Sequence, residues 1–156
     1  MKVNNMCTLN IPENPQTMGC GNFEVVQKIE SINEMGTFAI IKIDKNKIEL
    51  TDAFRSFDVK NNPLIDGKIE VLNQKEGSNY CTDALSPSLA VTQTFKLIGG
   101  TIKARIVKQH KDMERFGKTP YSIEVILENA VFQNKEKTYK IKKIHYNNVL
   151  VNYMMG

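Results

Sequence analysis

The sequence predicts an all-β protein, an antiparallel β-sandwich of about nine or ten strands. Two observations lead to this prediction. Apolar and polar residues alternate through most of the second half of the chain, which gives each strand one buried and one wet face. Turn residues recur at intervals of roughly 8–12 residues, a spacing typical of sandwiches and barrels. No stretch predicts a helix.

The alternation is clearest in two stretches of the second half. Apolar residues occupy every second position on either side of the pair Gly99–Gly100, and again in the segment that follows Pro120. The first set is Phe95, Leu97, Ile102, Ala104 and Ile106, and the second is Tyr121, Ile123, Val125 and Leu127. We therefore expect these side chains to face the core.

The individual strands follow from the same pattern and from the turn residues between them. In chain order they are Asn22–Ile29, Thr37–Ile43, Ile48–Thr51, Phe54–Val59, Lys68–Asn73, Leu89–Ile98, Thr101–Val107, Tyr121–Phe132, Thr138–His145 and Val149–Met154. A bulge is expected near Asn129–Ala130. The longest connection, residues 74–88, is long enough to cross between two sheets, so a sandwich is preferred, with a lipocalin-like closed barrel as the alternative.

The first 19 residues are expected to be irregular, since they are polar and contain Pro12, Pro15 and Gly19. Residues 20–156 then form one β-sandwich domain, a size that buries roughly two-thirds of the unfolded surface. As it stands the N-terminal segment is not a signal peptide. The chain also has no apolar stretch of about 20 residues, as a membrane-spanning helix would need.

Gly99–Gly100 raises the question of a phosphate-binding loop. Such a loop needs a helix N-terminus after it, whereas Thr101–Val107 reads as a strand. The pair supplies positive φ angles, so we expect it to form a tight hairpin turn.

Basic residues are concentrated in the second half of the chain. Residues 1–78 contain nine Lys or Arg and eleven Asp or Glu, and residues 79–156 contain twelve and six. A basic half can attract acidic groups, and its densest loop contains Lys108, His110, Lys111, Arg115 and Lys118. We expect this loop to contact an acidic glycan or a partner protein, although lysines that only protect sheet edges would give the same pattern. Nucleic acid is disfavoured because Tyr139 and Lys140 point to opposite faces.

The sequence does not predict an enzyme. His110 and His145 cannot be matched to a nucleophile and an orienting acid, and the motifs G-x-S-x-G and H-E-x-x-H are absent from the sequence. A calcium site could use Asp44, Asn46 and Glu49, or Asp52, Asp58 and Asp66, but Lys45 and Lys47 interrupt the first set. Plain turns explain these residues better. We expect neither a cofactor nor a metal.

Three cysteines are present: Cys7, Cys20 and Cys81. None has the spacing of a metal site. A bridge between Cys20 and Cys81 would close a loop of about 60 residues and contribute roughly 4 kcal/mol in the chain-entropy model. Unpaired thiols in a reducing compartment remain the alternative, and Cys7 is expected to be a free thiol.

With strands and cysteines placed, the chain resembles small uncharacterised bacterial secreted or lipoprotein-type β-sandwich domains. The matching segments are Cys20–Val25, Tyr80–Asp83, Gly100–Ile102 and Tyr121–Phe132, together with a terminal strand ending in Gly156. The resemblance implies the Cys20–Cys81 bridge and a secreted, periplasmic or cell-surface location. The predicted function is a non-catalytic binding or cell-surface module. The alternative is a β-barrel carrier of a small apolar ligand.

Overall fold

The computed structural model describes residues 6–44, 47–75 and 90–153, and these form an all-β structure. Its nine strands are β1 (Met6–Thr8), β2 (Thr17–Cys20), β3 (Glu24–Lys28), β4 (Thr37–Ile43), β5 (Arg55–Asp58), β6 (Ile65–Leu72), β7 (Val91–Gln109), β8 (Tyr121–Gln133) and β9 (Thr138–Val151). Within the described residues, a short 3-10 turn at Lys111–Met113 is the one helical element. In this part of the chain no helix is long and apolar enough to span a bilayer.

All nine strands belong to one mixed sheet that is curled into a half-barrel. Their order is β1-β9-β8-β7-β6-β4-β3-β2, with β5 paired to β7 beside this path. Among the strand pairs of the described residues, β1–β9 alone is parallel. The predicted two-sheet sandwich is therefore not confirmed, and the curvature fits the barrel alternative. One sheet is enough to enclose a hydrophobic core because its long strands bend around the buried side chains.

The prediction of a hairpin turn at Gly99–Gly100 is wrong. β7 continues through both glycines, and the β7–β8 register shifts on either side of Gly99. N-terminal to the glycines β7 pairs with β6, and C-terminal to them it pairs with β5. Gly100 has a φ of +120°, and a Cβ there would lie 2.8 Å from the Glu128 carbonyl oxygen. The pair thus forms a bulge that bends a continuous strand.

Asn147–Asn148 behaves in the same way. It was expected to separate the last two strands, but β9 is continuous from Thr138 to Val151. Asn148 adopts a φ of +53°, and the β8–β9 register shifts between the neighbouring pairs Ile123–Val149 and Val125–Tyr146. The bulge predicted near Asn129–Ala130 is confirmed, because Asn129 has a φ of +52° and the register with β7 shifts there.

The N-terminal region also differs from expectation. Strands β1 and β2 lie within residues 1–19 and their border, which were predicted to be irregular. They become regular because each finds a partner strand: β1 pairs with β9, which is far away in sequence, and β2 forms a hairpin with the adjacent β3. Conversely, Ile48–Thr51 forms no strand, although Ile48 and Leu50 are buried.

The core fills the inside of the curl. Of the side chains expected to face inwards, Phe95, Leu97, Ile102, Ala104, Ile123, Val125 and Leu127 are buried, whereas Ile106 and Tyr121 are half-buried. The two ends of the sheet approach one another, since β2 packs against β9. The Tyr153 hydroxyl donates to the Gly19 carbonyl at 2.6 Å, and the Gln27 side-chain amide donates to the His145 carbonyl at 2.9 Å.

A second, smaller apolar cluster lies on the opposite face of β3, β4 and β6. It contains Val26, Phe38, Ile40 and Leu72, with Met18 and Cys20 of β2 packed against it. Cys7 is a free cysteine, in agreement with expectation. Cys81 and most of the connection 74–88 lie outside the described residues, so the Cys20–Cys81 bridge remains a prediction, which mass measurement with and without reductant decides.

Candidate functional site

The five residues predicted to contact a partner lie in the connection between β7 and β8. Lys108 is exposed near the end of β7, and Lys111 is exposed in the 3-10 turn. Arg115 and Lys118 face each other across a tight turn, with backbone hydrogen bonds of 3.0 and 2.9 Å in the two directions. We call residues 108–118 the basic loop.

The tip of the basic loop has an unusual residue in a demanding conformation. Phe116 and Gly117 have φ angles of +51° and +75°, the signature of a turn normally built from Asn, Asp or Gly. A bulky residue with positive φ is a genuine outlier. The Phe116 side chain is nonetheless 85% exposed, and Met113 nearby is 45% exposed. The tip therefore presents an unpacked aromatic ring among basic groups.

His110 is not an exposed member of this set. It is half-buried, and its Nε2 lies 2.7 Å from the Ser122 hydroxyl of β8. Its backbone N–H donates to the Pro120 carbonyl at 2.9 Å. A catalytic serine needs an orienting acid on the histidine and an accessible hydroxyl, but the described contacts of His110 include no carboxylate and Ser122 is only 8% exposed. The pair holds the base of the basic loop against β8.

A charged cluster that the sequence pattern did not predict lies on the outer face of β7, β8 and β9. Glu124 is 9% exposed and accepts hydrogen bonds from Arg105 Nε at 2.8 Å and from His145 Nε2 at 2.5 Å. The Arg105 guanidinium also stacks on Phe54, 4.9 Å from the ring centroid. The alternation in β8 places Glu124 on the outer face of the sheet, where a carboxylate is usually solvated. Only its partners on neighbouring strands show that it is enclosed.

We expect the Glu124 cluster to make stability depend on pH. Burial opposes ionisation of this carboxyl, but the hydrogen bonds from His145 and Arg105 outweigh it and lower the pKa below its usual value. A carboxyl whose pKa is lowered by folding stabilises the protein at pH values above its unfolded-state pKa, which is near 4.3. This stabilisation is lost as the pH falls through the folded-state pKa. Glu124→Gln should therefore cost about 1 kcal/mol at pH 7, a figure kept small because both partners are partly exposed.

Urea denaturation at pH 7 and at pH 3 measures this effect. The difference between the wild type and Glu124→Gln should shrink at the lower pH. Glu136→Gln serves as the control, since Glu136 is exposed in the β8–β9 turn. An equal loss in both variants at pH 7 would contradict the role of the cluster.

A polar cleft of about 550 Å³ opens at one end of the half-barrel, next to the basic loop. Its polar lining combines two lysines, two aspartates and two asparagines: Lys42, Lys118, Asp44, Asp66, Asn22 and Asn152. Phe23, Ile43, Pro63 and Leu64 supply the apolar lining. Lys118 belongs to both the cleft and the basic loop.

Several groups of the cleft are held in place by neighbouring residues. The Asn152 amide donates to the Thr119 carbonyl at 2.9 Å, which ties the end of β9 to the base of the basic loop. Lys42 of β4 is opposite Glu24 of β3 and Asp66 of β6 in the strand register. The buried Phe23 ring packs on Tyr121, with ring centroids 5.6 Å apart. The lining thus comes from the ends of β4 and β6, from residues next to the ends of β3 and β9, and from the basic loop.

Of the cleft residues, Lys118 alone was predicted from the sequence to contact a partner. Asp44 and Asp66 were expected to lie in turns. Within the described part of the chain, no group of three or more His, Cys, Asp or Glu residues is arranged to hold a metal ion.

Comparison with protein-family models, with curated proteins and with solved structures found no significant match.

Proposed function

We propose that this protein is an exported, non-catalytic binding module that uses the basic loop to hold an anionic partner. The observation that carries the proposal is Phe116. It combines a positive φ with 85% exposure at the centre of a basic turn. The resemblance to secreted domains and the expected Cys20–Cys81 bridge support export.

Phe116 is difficult to explain as a folding residue. A left-handed conformation costs a non-glycine residue about 1–2 kcal/mol, and an exposed ring regains little of this by burial. Strained residues that persist in spite of their cost cluster at binding and active sites. An exposed aromatic ring also offers a large apolar contact to a partner, and such residues are common binding hot spots. We infer that the ring is kept for contact.

The charges around the ring indicate the sign of the partner. The basic loop contains Lys108, Lys111, Arg115 and Lys118 against Asp112 and Glu114. The four cations outnumber the two acids, one of which, Glu114, accepts a hydrogen bond from the Thr119 hydroxyl at 2.9 Å. The remaining positive charge favours an acidic surface and speeds its association.

The alternative is a barrel carrier of a small apolar ligand. The curled sheet favours a barrel-like architecture, but its interior positions are occupied by buried side chains packed on one another. A fluorescent fatty-acid displacement assay separates the two proposals. If a fluorescent fatty acid binds saturably and an unlabelled fatty acid displaces it, the carrier is favoured.

Phe116→Gly is the most direct test of the proposal. Because glycine adopts a positive φ without strain, we expect the free energy of unfolding to rise by about 1 kcal/mol. Loss of the ring should at the same time weaken binding to polygalacturonate, used as the acidic probe, by about tenfold, the effect of one contact residue. Urea denaturation and isothermal titration calorimetry measure the two quantities.

Charge variants complete the test. Arg115→Gln should weaken the same binding and reduce its dependence on salt. Lys135→Gln is the matched control. Lys135 is exposed in the turn between β8 and β9, at the opposite end of β8 from the basic loop. If Phe116→Gly and Arg115→Gln bind the polymer as tightly as Lys135→Gln, the basic loop is not the contact surface.

A further inference from the structure

We propose that the polar cleft beside the basic loop binds one sugar residue of an acidic oligosaccharide. The inference deepens the proposed function and rests on it, because it identifies the anionic partner as a carboxylated glycan. The cleft supplies the contacts to one sugar ring, and the basic loop contacts the acid groups of the neighbouring sugars.

The size and lining of the cleft match a small polar ligand. Its volume of about 550 Å³ lies within the range of small-molecule sites. Ammonium groups only donate hydrogen bonds, carboxylates only accept them, and amides do both. A lining that contains two of each can satisfy hydroxyl groups, which donate and accept at once. Such a lining fits a polyhydroxylated ring better than an apolar ligand.

The apolar part of the lining completes the match. Phe23 and Ile43 are buried beneath the cleft, and Leu64 is half-buried beside them. A sugar ring has apolar C–H faces as well as hydroxyl edges, so it needs both kinds of surface.

The distribution of charge favours an acidic sugar over a neutral one. Within the cleft the two lysines balance the two aspartates. At the rim, however, Lys118 faces Arg115 across the turn, and Lys111 precedes them on the same loop. A carboxylate on the bound sugar would lie closest to Lys118, and carboxylates on adjoining sugars would meet the remaining cations.

Trigalacturonate is the test ligand, and maltotriose is its neutral counterpart of equal length. We expect the protein to bind trigalacturonate at least tenfold more tightly in titration calorimetry. Lys42→Gln, which removes a charge from the cleft lining, should weaken this binding about tenfold. Lys68→Gln is the matched control, since Lys68 lies on the neighbouring strand β6 outside the cleft lining. NMR signals of the Asn22 and Asn152 side-chain amides should shift on titration.

The outcomes separate this inference from the proposed function. If Lys42→Gln and Lys68→Gln bind trigalacturonate equally, or if the two amide signals stay unchanged, the cleft assignment is wrong. Weaker binding of polygalacturonate by Arg115→Gln would then still support the basic loop. If instead Lys42→Gln weakens binding and the loop variants do not, the cleft assignment stands and the proposed use of the loop is contradicted. Equal affinity for maltotriose would overturn the acidic specificity.

Discussion

Replacing Gly19 with alanine is expected to lower the free energy of unfolding by about 3 kcal/mol, the upper range for an overpacked site. A Cβ at this position would lie 1.9 Å from the Leu150 carbonyl oxygen and 2.7 Å from Val149 Cγ1. The nearest obstacle is backbone, so no change of side-chain rotamer can relieve the clash. β2 would have to move away from β9, and the hydrogen bond from Tyr153 to the Gly19 carbonyl would be strained or lost.

Gly99→Ala is the control for this prediction. A Cβ at Gly99 would meet its nearest neighbour, Val131 Cγ2, at 3.6 Å, an ordinary van der Waals distance. We therefore expect this variant to stay within about 0.5 kcal/mol of the wild type. Urea denaturation measures both. Similar stabilities for the two variants would show that the approach of β2 to β9 does not hold the half-barrel together.

The contrast between these glycines illustrates what the sequence could and could not predict. Alternation identified the strands, and the bounds of β4 agree residue for residue with the prediction of Thr37–Ile43. Gly99–Gly100 was expected to form a turn and Asn147–Asn148 to separate the last two strands, but both pairs lie at bulges of continuous strands. The tight hairpin turns and the bulges with a left-handed residue both use positive φ, so local composition cannot distinguish them. At Gly99–Gly100 a bulge forms instead of a turn because β7 pairs with β6 before the glycines and with β5 after them.

The candidate site shows the same division. The basic loop was found because its charges are contiguous in the chain. The cleft was not, since Asn22, Lys42, Asp66, Lys118 and Asn152 come from segments that only the curled sheet brings together. Glu124 was missed because its alternation places it on the outer face, where solvation is the usual state. Its enclosure depends on Arg105 and His145 of the flanking strands.

The second large effect is expected at Tyr146, which is fully buried in the core. Its hydroxyl donates to the Ala39 carbonyl at 2.9 Å and so joins β9 to β4 across the inside of the curl. Tyr146→Ala should lower the free energy of unfolding by about 4 kcal/mol through the cavity that it leaves. Tyr146→Phe retains the ring and should cost only about 1–2 kcal/mol, for the lost hydrogen bond and the unsatisfied carbonyl.

Tyr146 should also limit stability in alkaline solution. Burial strongly raises the pKa of its phenol, so the folded protein keeps the hydroxyl neutral. A raised pKa contributes stability that is fully present below the unfolded-state value, near 10, and is lost at higher pH because the unfolded chain ionises there first. Above about pH 10 the wild type should lose up to about 1.4 kcal/mol per pH unit from this group.

Tyr146→Phe has no phenol at this position and should not lose this part of its stability in alkali. The difference in free energy of unfolding between the wild type and Tyr146→Phe should therefore narrow as the pH rises from 10 to 11. Tyr153, whose pKa burial also raises, is present in both proteins and therefore cancels in the comparison. Urea denaturation at pH 9, 10 and 11 gives the result. If the deficit stays constant over this range, Tyr146 ionises as readily in the folded protein as in the unfolded chain. Water would then reach the hydrogen bond between Tyr146 and Ala39, which would contradict a packed core in the half-barrel.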